Sequence, residues 1–253
     1  MRLVIITQNE PFYLSQNLNY LINNLKNNHE FVGVVISDVS PFGKKESFIK
    51  KAFKTKKIFG LNFFIYYSIK FLFSKIFTIS VRTLLNKFNI PEIIIDGSIN
   101  SKKNIELINS YNPDLLISIL GNQIFKKPLL DLAPKGCINL HTAMLPKYRG
   151  LMPTFWVMKN NEKYTGVSVF FVDEGIDSGP IIVQEKVEIG NSTQAQLIMR
   201  TKKIGMKLIV KAVNLITENN LVLLPNPESE KTYYSFPTRK DVIEFKKIGK
   251  RFF

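Results

Sequence analysis

Apolar and polar positions follow two rhythms along this chain. Residues 3–7 form an unbroken apolar run of the buried-strand type, a turn-like Gln8-Asn9-Glu10-Pro11 follows, and residues 15–26 carry helical spacing. Residues 31–37, 92–95, 115–119 and 137–140 repeat the strand pattern, with helical stretches over 101–110 and 125–132 between them. Buried strands alternating with helices predict an α/β fold, a Rossmann-like, mostly parallel sheet with helices on both faces. Ligands of such a sheet lie at the carboxyl ends of its strands. After Gly150 the rhythm changes. Residues 153–159 predict a helix, residues 166–172 and 181–187 predict two strands joined by an Asp/Glu/Gly-rich turn, and a long helix over 193–218 follows. An antiparallel ribbon is therefore expected near the C-terminal part. The expected organisation is one main domain over residues 1–218 and a short, polar, basic extension over 219–253.

With 253 residues, 45% of them hydrophobic, the chain can bury a sizeable core. Its single cysteine, Cys137, leaves no intramolecular disulfide to form, and the opening residues lack a signal-peptide layout. The expected compartment is a reducing cytoplasm.

Charge changes the picture through its distribution. The net charge is +15, and 12 of those 15 surplus charges fall in two stretches, residues 44–75 (nine lysines against Glu46) and residues 239–251. The rest of the chain is close to balanced, which argues against a protein built around nucleic acid. No stable nucleic-acid partner is expected. The first basic stretch opens a helical insertion over about 44–79 that also carries eight aromatics between residues 58 and 77. Lys70 and Lys75 interrupt its apolar run before the ~18–20 residues of a membrane span. Two readings stay open: aromatics packed on the sheet with lysines facing water, or an interfacial element giving peripheral membrane contact.

Candidate chemistry is concentrated in few residues. His29, among polar neighbours, reads as a solvated turn residue. His141 ends an apolar strand in which alternation puts Asn139 on the same face, and a Pro/Gly loop follows. An Asn beside a His at a strand terminus offers a hydrogen-bond donor next to an acid/base, or else a structural cap of the strand end. Two histidines, one cysteine and no clustered carboxylates at ligand spacing give no metal site. Cys137 shares a face with Asn139 and is expected to pack beneath it.

Asn139-Leu140-His141, Leu145-Pro146-Lys147-Tyr148-Arg149-Gly150, Gly166-Val167-Ser168-Val169 and the run from Val172 to Ile181 through Asp173-Glu174-Gly175-Ile176-Asp177 together resemble the folate-dependent formyltransferase family. The family includes glycinamide ribonucleotide, methionyl-tRNA and sugar-nucleotide N-formyltransferases. The resemblance is strong over about residues 115–189 and one of pattern before that. It implies a catalytic trio of Asn139, His141 and Asp177, the last being the second acid of the turn. It also implies 10-formyltetrahydrofolate as formyl donor, without a metal. The pterin cleft, by similarity, falls along Gly121, Asn122, Gln123, Ile124 and Phe125 and along Val172, Asp173, Glu174, Gly175 and Ile176.

For the acceptor, the resemblance points to the loop at Thr7, Gln8 and Asn9 and to Lys147, Tyr148 and Arg149. The first loop lacks the glycines of a backbone phosphate cradle, which disfavours a purine precursor. Methionyl-tRNA formyltransferases share the Lys147–Gly150 run but add a β-barrel domain, whereas about 35 residues follow the long helix here. The expected acceptor is a small amine, foremost a nucleotide-linked amino sugar for surface polysaccharide such as lipopolysaccharide. The alternatives are methionyl-tRNA, hydrolysis of the folate, and a non-catalytic membrane or RNA adaptor. A homodimer is compatible with this reading.

Overall fold

The computed structural model describes residues 1–37, 47–121 and 123–253. Seven strands make the main sheet: β1 (Arg2–Gln8), β2 (Glu30–Ser37), β3 (Glu92–Ile93), β4 (Leu115–Ser118), β5 (Cys137–His141), and, after the two-residue β6 (Arg149–Gly150), β7 (Tyr164–Phe171) and β8 (Ile181–Glu188). Their order is β3-β2-β1-β4-β5-β7-β8. The first five pair in parallel, while β5 with β7 and β7 with β8 pair antiparallel. This is the expected mostly parallel sheet with its antiparallel ribbon.

Strand alternation divides the core between the two faces. Leu3 and Ile5 of β1 face one cluster, with α1 (Leu14–Leu25) and the long helix; Val4 and Ile6 face the other, with α5 (Lys102–Asn109) and the short α6 (Lys127–Leu130). The strand order reverses beside β1: β2 and β3 are added on one side of it and β4 and β5 on the other, all parallel. The loops after β1 and β4 diverge there and leave a crevice at the carboxyl edge.

Local chemistry sets the helix starts. The Glu10 carboxylate accepts the backbone N–H groups of Phe12, Tyr13 and Leu14, doing for α1 what a Ser or Asp cap does elsewhere. The helix over Gln194–Thr217 begins with a reciprocal Thr193/Gln196 capping box. Two predicted elements shrink. The strand at 92–95 ends at Ile93, because β3 is an edge strand that pairs only with Val34 and Val35, and Ile94 turns to solvent. The helix at 125–132 keeps four residues. His29 is buried, not solvated: its backbone N–H closes the turn after α1 by donating to Leu25, and desolvation lowers its pKa.

Between β2 and β3 the chain forms α2 (Phe48–Phe59), α3 (Leu61–Phe77) and α4 (Val81–Lys87). The predicted insertion at 44–79 is thus helical over its described part; residues 44–46 lie outside the described residues. Its packing departs from the simple expectation of aromatics inside and lysines outside. Phe59 is buried, yet Phe73 and Phe77 are exposed, while Lys70 donates to the Tyr13 hydroxyl at 2.5 Å.

Residues 219–253 hold α9 (Arg239–Lys247) and β9 (Tyr233–Tyr234), which pairs with β6. They are polar and basic as read, but apolar side chains dock them, with Leu221, Tyr234 and Phe236 packed against the main core. Val242, Phe245 and Phe252 lie in the main core, Phe245 stacked on Phe155 at 5.0 Å and on Phe252 at 4.6 Å. Phe155 belongs to α7 (Pro153–Lys159); the long helix is α8 (Gln194–Thr217).

Candidate active site

β5 brings Asn139 and His141 to the carboxyl edge of the sheet, and the β7–β8 turn brings Asp177 against them. His141 is buried. Its Nε2 lies 2.7 Å from the carbonyl oxygen of Tyr148, and its Nδ1 lies 3.5 Å from Oδ2 of Asp177. A carbonyl oxygen only accepts, so Nε2 carries the hydrogen. Nδ1, facing the carboxylate, is therefore the nitrogen that can take up and hand over a proton. Asp177 Oδ2 also accepts the Gly150 backbone N–H at 2.8 Å. Gly150 has φ +95°, and a Cβ there would run into the Tyr234 carbonyl, so glycine is required for this approach.

Asp177 sits in the left-handed region at φ 50°, a conformation that Asp tolerates better than most residues. Asn226 holds it there, donating from Nδ2 to the carbonyl oxygens of Asp177 and Gly179, both at 2.9 Å. Sequence reading missed Asn226. The signal present was its setting between Pro225 and Pro227, which stiffens the segment.

Two cavities meet at the trio. One, of about 280 Å³, has mostly apolar walls that include Gly121, Gln123, Ile124, Phe125, Val172, Gly175 and Ile176. Seven of the ten positions expected along the pterin cleft thus line a single chamber. Asn122 lies outside the described residues, and Asp173 and Glu174 are not among the lining residues. Asp173 instead shapes the loop, its Oδ1 accepting from the Gly175 backbone N–H and the Ser178 hydroxyl. The other cavity, of about 300 Å³, lies on the α1 and α8 side and is lined by His141, Asn17, Gln194, Ile198, Thr201 and Lys202 among others. Asn139 and Asp177 border both. The Oδ1 of Asn139 is buried without a hydrogen-bond partner among the described residues.

The residues expected to bind the acceptor are dispersed. Gln8 lines the first cavity and donates to the Leu120 carbonyl; Thr7 is buried in β1; neither chamber is lined by Asn9, Lys147, Tyr148 or Arg149. Arg149 is buried, and its guanidinium is committed to Glu228 and Asn226. Tyr148 contributes its carbonyl to His141, while its hydroxyl donates to Glu162 at 2.6 Å. The second cavity draws instead on α8, where Gln194, Ile198, Thr201 and Lys202 fall on one face at i, i+4, i+7 and i+8. Gln194 Nε2 is buried with no partner among the described residues. Lys202 Nζ lies 3.6 Å from Glu10 Oε2, and desolvation lowers its pKa against the pull of that carboxylate. Beneath the site Cys137 is buried, and burial pushes its thiol pKa up. Among the described residues no group of three or more His, Cys, Asp or Glu could hold a metal.

The arrangement offers a neutral amide, a proton-exchanging imidazole nitrogen and a carboxylate at the junction of an apolar chamber and a polar one. Comparison with known proteins gives the family. A methionyl-tRNA formyltransferase of Kosmotoga olearia is 33% identical over 170 residues, 67% of this chain and 54% of its own length. One from Alkaliphilus oremlandii is 39% identical over 133 residues, 52% of this chain and 43% of its own. The chain thus spans about half the length of the curated relatives it matches. Among solved structures, the N-formyltransferase of Helicobacter canadensis, in complex with folinic acid and dTDP-3-aminofucose, shares the fold with a TM-score of 0.59 at 21% identity, over 94% of this chain and 71% of that one. The formyl transferase family itself matches residues 72–213, more than half of the sequence, and the chain belongs to that family.

Proposed function

We propose that this protein is an N-formyltransferase that passes a formyl group from 10-formyltetrahydrofolate to the amine of a nucleotide-linked amino sugar. The observation that carries the reading is the meeting of two chambers at Asn139, His141 and Asp177. The apolar chamber suits a flat heterocycle, and Asn139 at its border offers a side-chain N–H to a ligand carbonyl held there. When bound there, the folate supplies the formyl carbon. Asn139 donates an N–H to the oxygen that gains charge as the amine attacks, a contact worth roughly 3–4 kcal/mol in comparable sites. His141 Nδ1 accepts the proton that the amine loses and returns it to the leaving nitrogen. Asp177 stabilises the imidazolium formed meanwhile.

The second chamber is proposed for the acceptor. Asn17, Gln194 and Lys202 give it hydrogen-bonding groups suited to sugar hydroxyls and an anionic linkage. A second reading, formylation of methionyl-tRNA, is supported by the curated relatives named above, which share the catalytic region. One assay separates them: formyl transfer from 10-formyltetrahydrofolate to a panel of TDP- and UDP-linked amino sugars, beside initiator methionyl-tRNA and a reaction without amine. Transfer to an amino sugar is expected. Transfer to the tRNA alone would establish the second reading, and formate released equally without amine would mark a hydrolase.

A further inference from the structure

α3 is apolar on both sides. One side packs on the body of the protein, where Phe63 meets Phe252 at 5.0 Å, Tyr67 meets Phe12 at 5.8 Å and Ser74 is buried. The other carries Ile65, Ile69, Leu72, Phe73, Ile76 and Phe77, which recur at one helical face and are 47% to 75% exposed. A continuous bare row of this kind is unusual on a soluble surface. α2 extends it with exposed Ile49 and Phe53, and the tail extends it with Phe253, stacked on Tyr66 at 4.0 Å.

Charge says what covers the row. Seven lysines and no acid occur between residues 47 and 77, and the next acid is Glu92. The fold brings the second basic stretch beside the first: Arg239 donates to the Ile58 carbonyl at 3.2 Å, and α2 packs on α9. The two acids of that stretch, Asp241 and Glu244, are both engaged by Lys159, at 3.0 and 2.9 Å. An apolar stripe on lysine-rich helices, with no unpaired acid among the described residues of α2, α3 and α9, is complementary to an anionic lipid surface. A second copy of the chain on the same face would set these lysines against their own equivalents.

We propose that α3 lies in the interface of an anionic phospholipid bilayer, its axis along the surface, with α2 and the basic tail over the headgroups. Spanning is a different matter. The helical run 61–87 is long and apolar enough by composition to cross, but it is broken by the extended Thr78, which ends α3 after 17 residues. Seventeen residues reach ~25 Å, short of the ~30 Å hydrocarbon core, and Phe63, Tyr67 and Ser74 are held against the protein.

The test is co-sedimentation of the full chain with vesicles of phosphatidylcholine alone or mixed with phosphatidylglycerol, at low and high salt. Expected is binding that requires phosphatidylglycerol, weakens with salt, and falls by roughly ten-fold or more in the Ile69→Asp/Phe73→Asp variant. Far-ultraviolet circular dichroism and the melting temperature of that variant are expected to match wild type, since both side chains are exposed. A Lys54→Gln/Lys57→Gln/Lys75→Gln variant is expected to lose the lipid preference. Absence of wild-type binding, binding insensitive to both variants, or attachment that survives alkaline carbonate would overturn the proposal. So would a dimer, seen by sedimentation velocity, that the Ile69→Asp/Phe73→Asp variant dissolves while vesicles bind neither protein.

Discussion

His141 has one nitrogen bound to a backbone carbonyl and one left for chemistry, and that division governs what substitutions do. His141→Asn removes the proton carrier but keeps a polar side chain; turnover is expected to fall roughly 10²–10⁴-fold with substrate affinities little changed, as steady-state kinetics will show. Asn139→Ala is expected to cost about 10²–10³-fold in kcat. Asn226 touches neither proton nor substrate. It positions Asp177, so Asn226→Ala is expected to lower kcat by up to about 10²-fold and to displace the pH profile of kcat/KM, which simple loss of stability would leave in place. Asn139 and His141 were legible because both lie on one strand, where alternation fixes their common face. Asp177 came only through family resemblance, as no local pattern marks one turn acid over its neighbours. Asn226 was not legible, and Arg149 was assigned to the acceptor instead of to Glu228, since the partners of these two residues lie 49 and 79 residues away in sequence.

At the level of elements, the strands, α1, α7 and α8 followed from periodicity with ends shifted by a residue or two. The tail did not, because its few apolar side chains are spaced among charges. Yet α9 and Phe252 close the core, β9 pairs with β6, and Trp156 Nε1 donates to the Ser235 carbonyl at 3.0 Å. Phe245→Ala is expected to cost about 3–5 kcal/mol, measurable by urea unfolding. Glu228 provides a gentler probe. Its hydrogen bond with Arg149 lowers its pKa from 4.5 to about 2. A lowered carboxylate pKa gives stability that is full above 4.5 and is lost as pH falls toward 2. The melting-temperature gap between wild type and Glu228→Gln should therefore be widest above pH 4.5 and close across that window.

Across the whole molecule, two chambers share Gly121, Asn139, Gly150, Met152 and Asp177 as a common wall, and each should be disturbed alone. Ile198→Trp, on the α8 face of the second chamber, is expected to raise the acceptor KM while donor affinity measured by fluorescence titration stays near wild type. Ile176→Asp, in the apolar chamber, is expected to do the reverse. The sequence contained both basic stretches, but not their adjacency, which arises only when α9 docks on α2. The docked tail also imposes an order in time. During synthesis the β-sheet, His141 and Asp177 leave the ribosome well before Asn226 and Phe252, and an N-terminal part that folds first lacks the side chain that holds the Asp177 loop. With Asp177 in its proposed role, competence for catalysis is expected late in the life of each nascent chain, once residues 226–252 are made and docked.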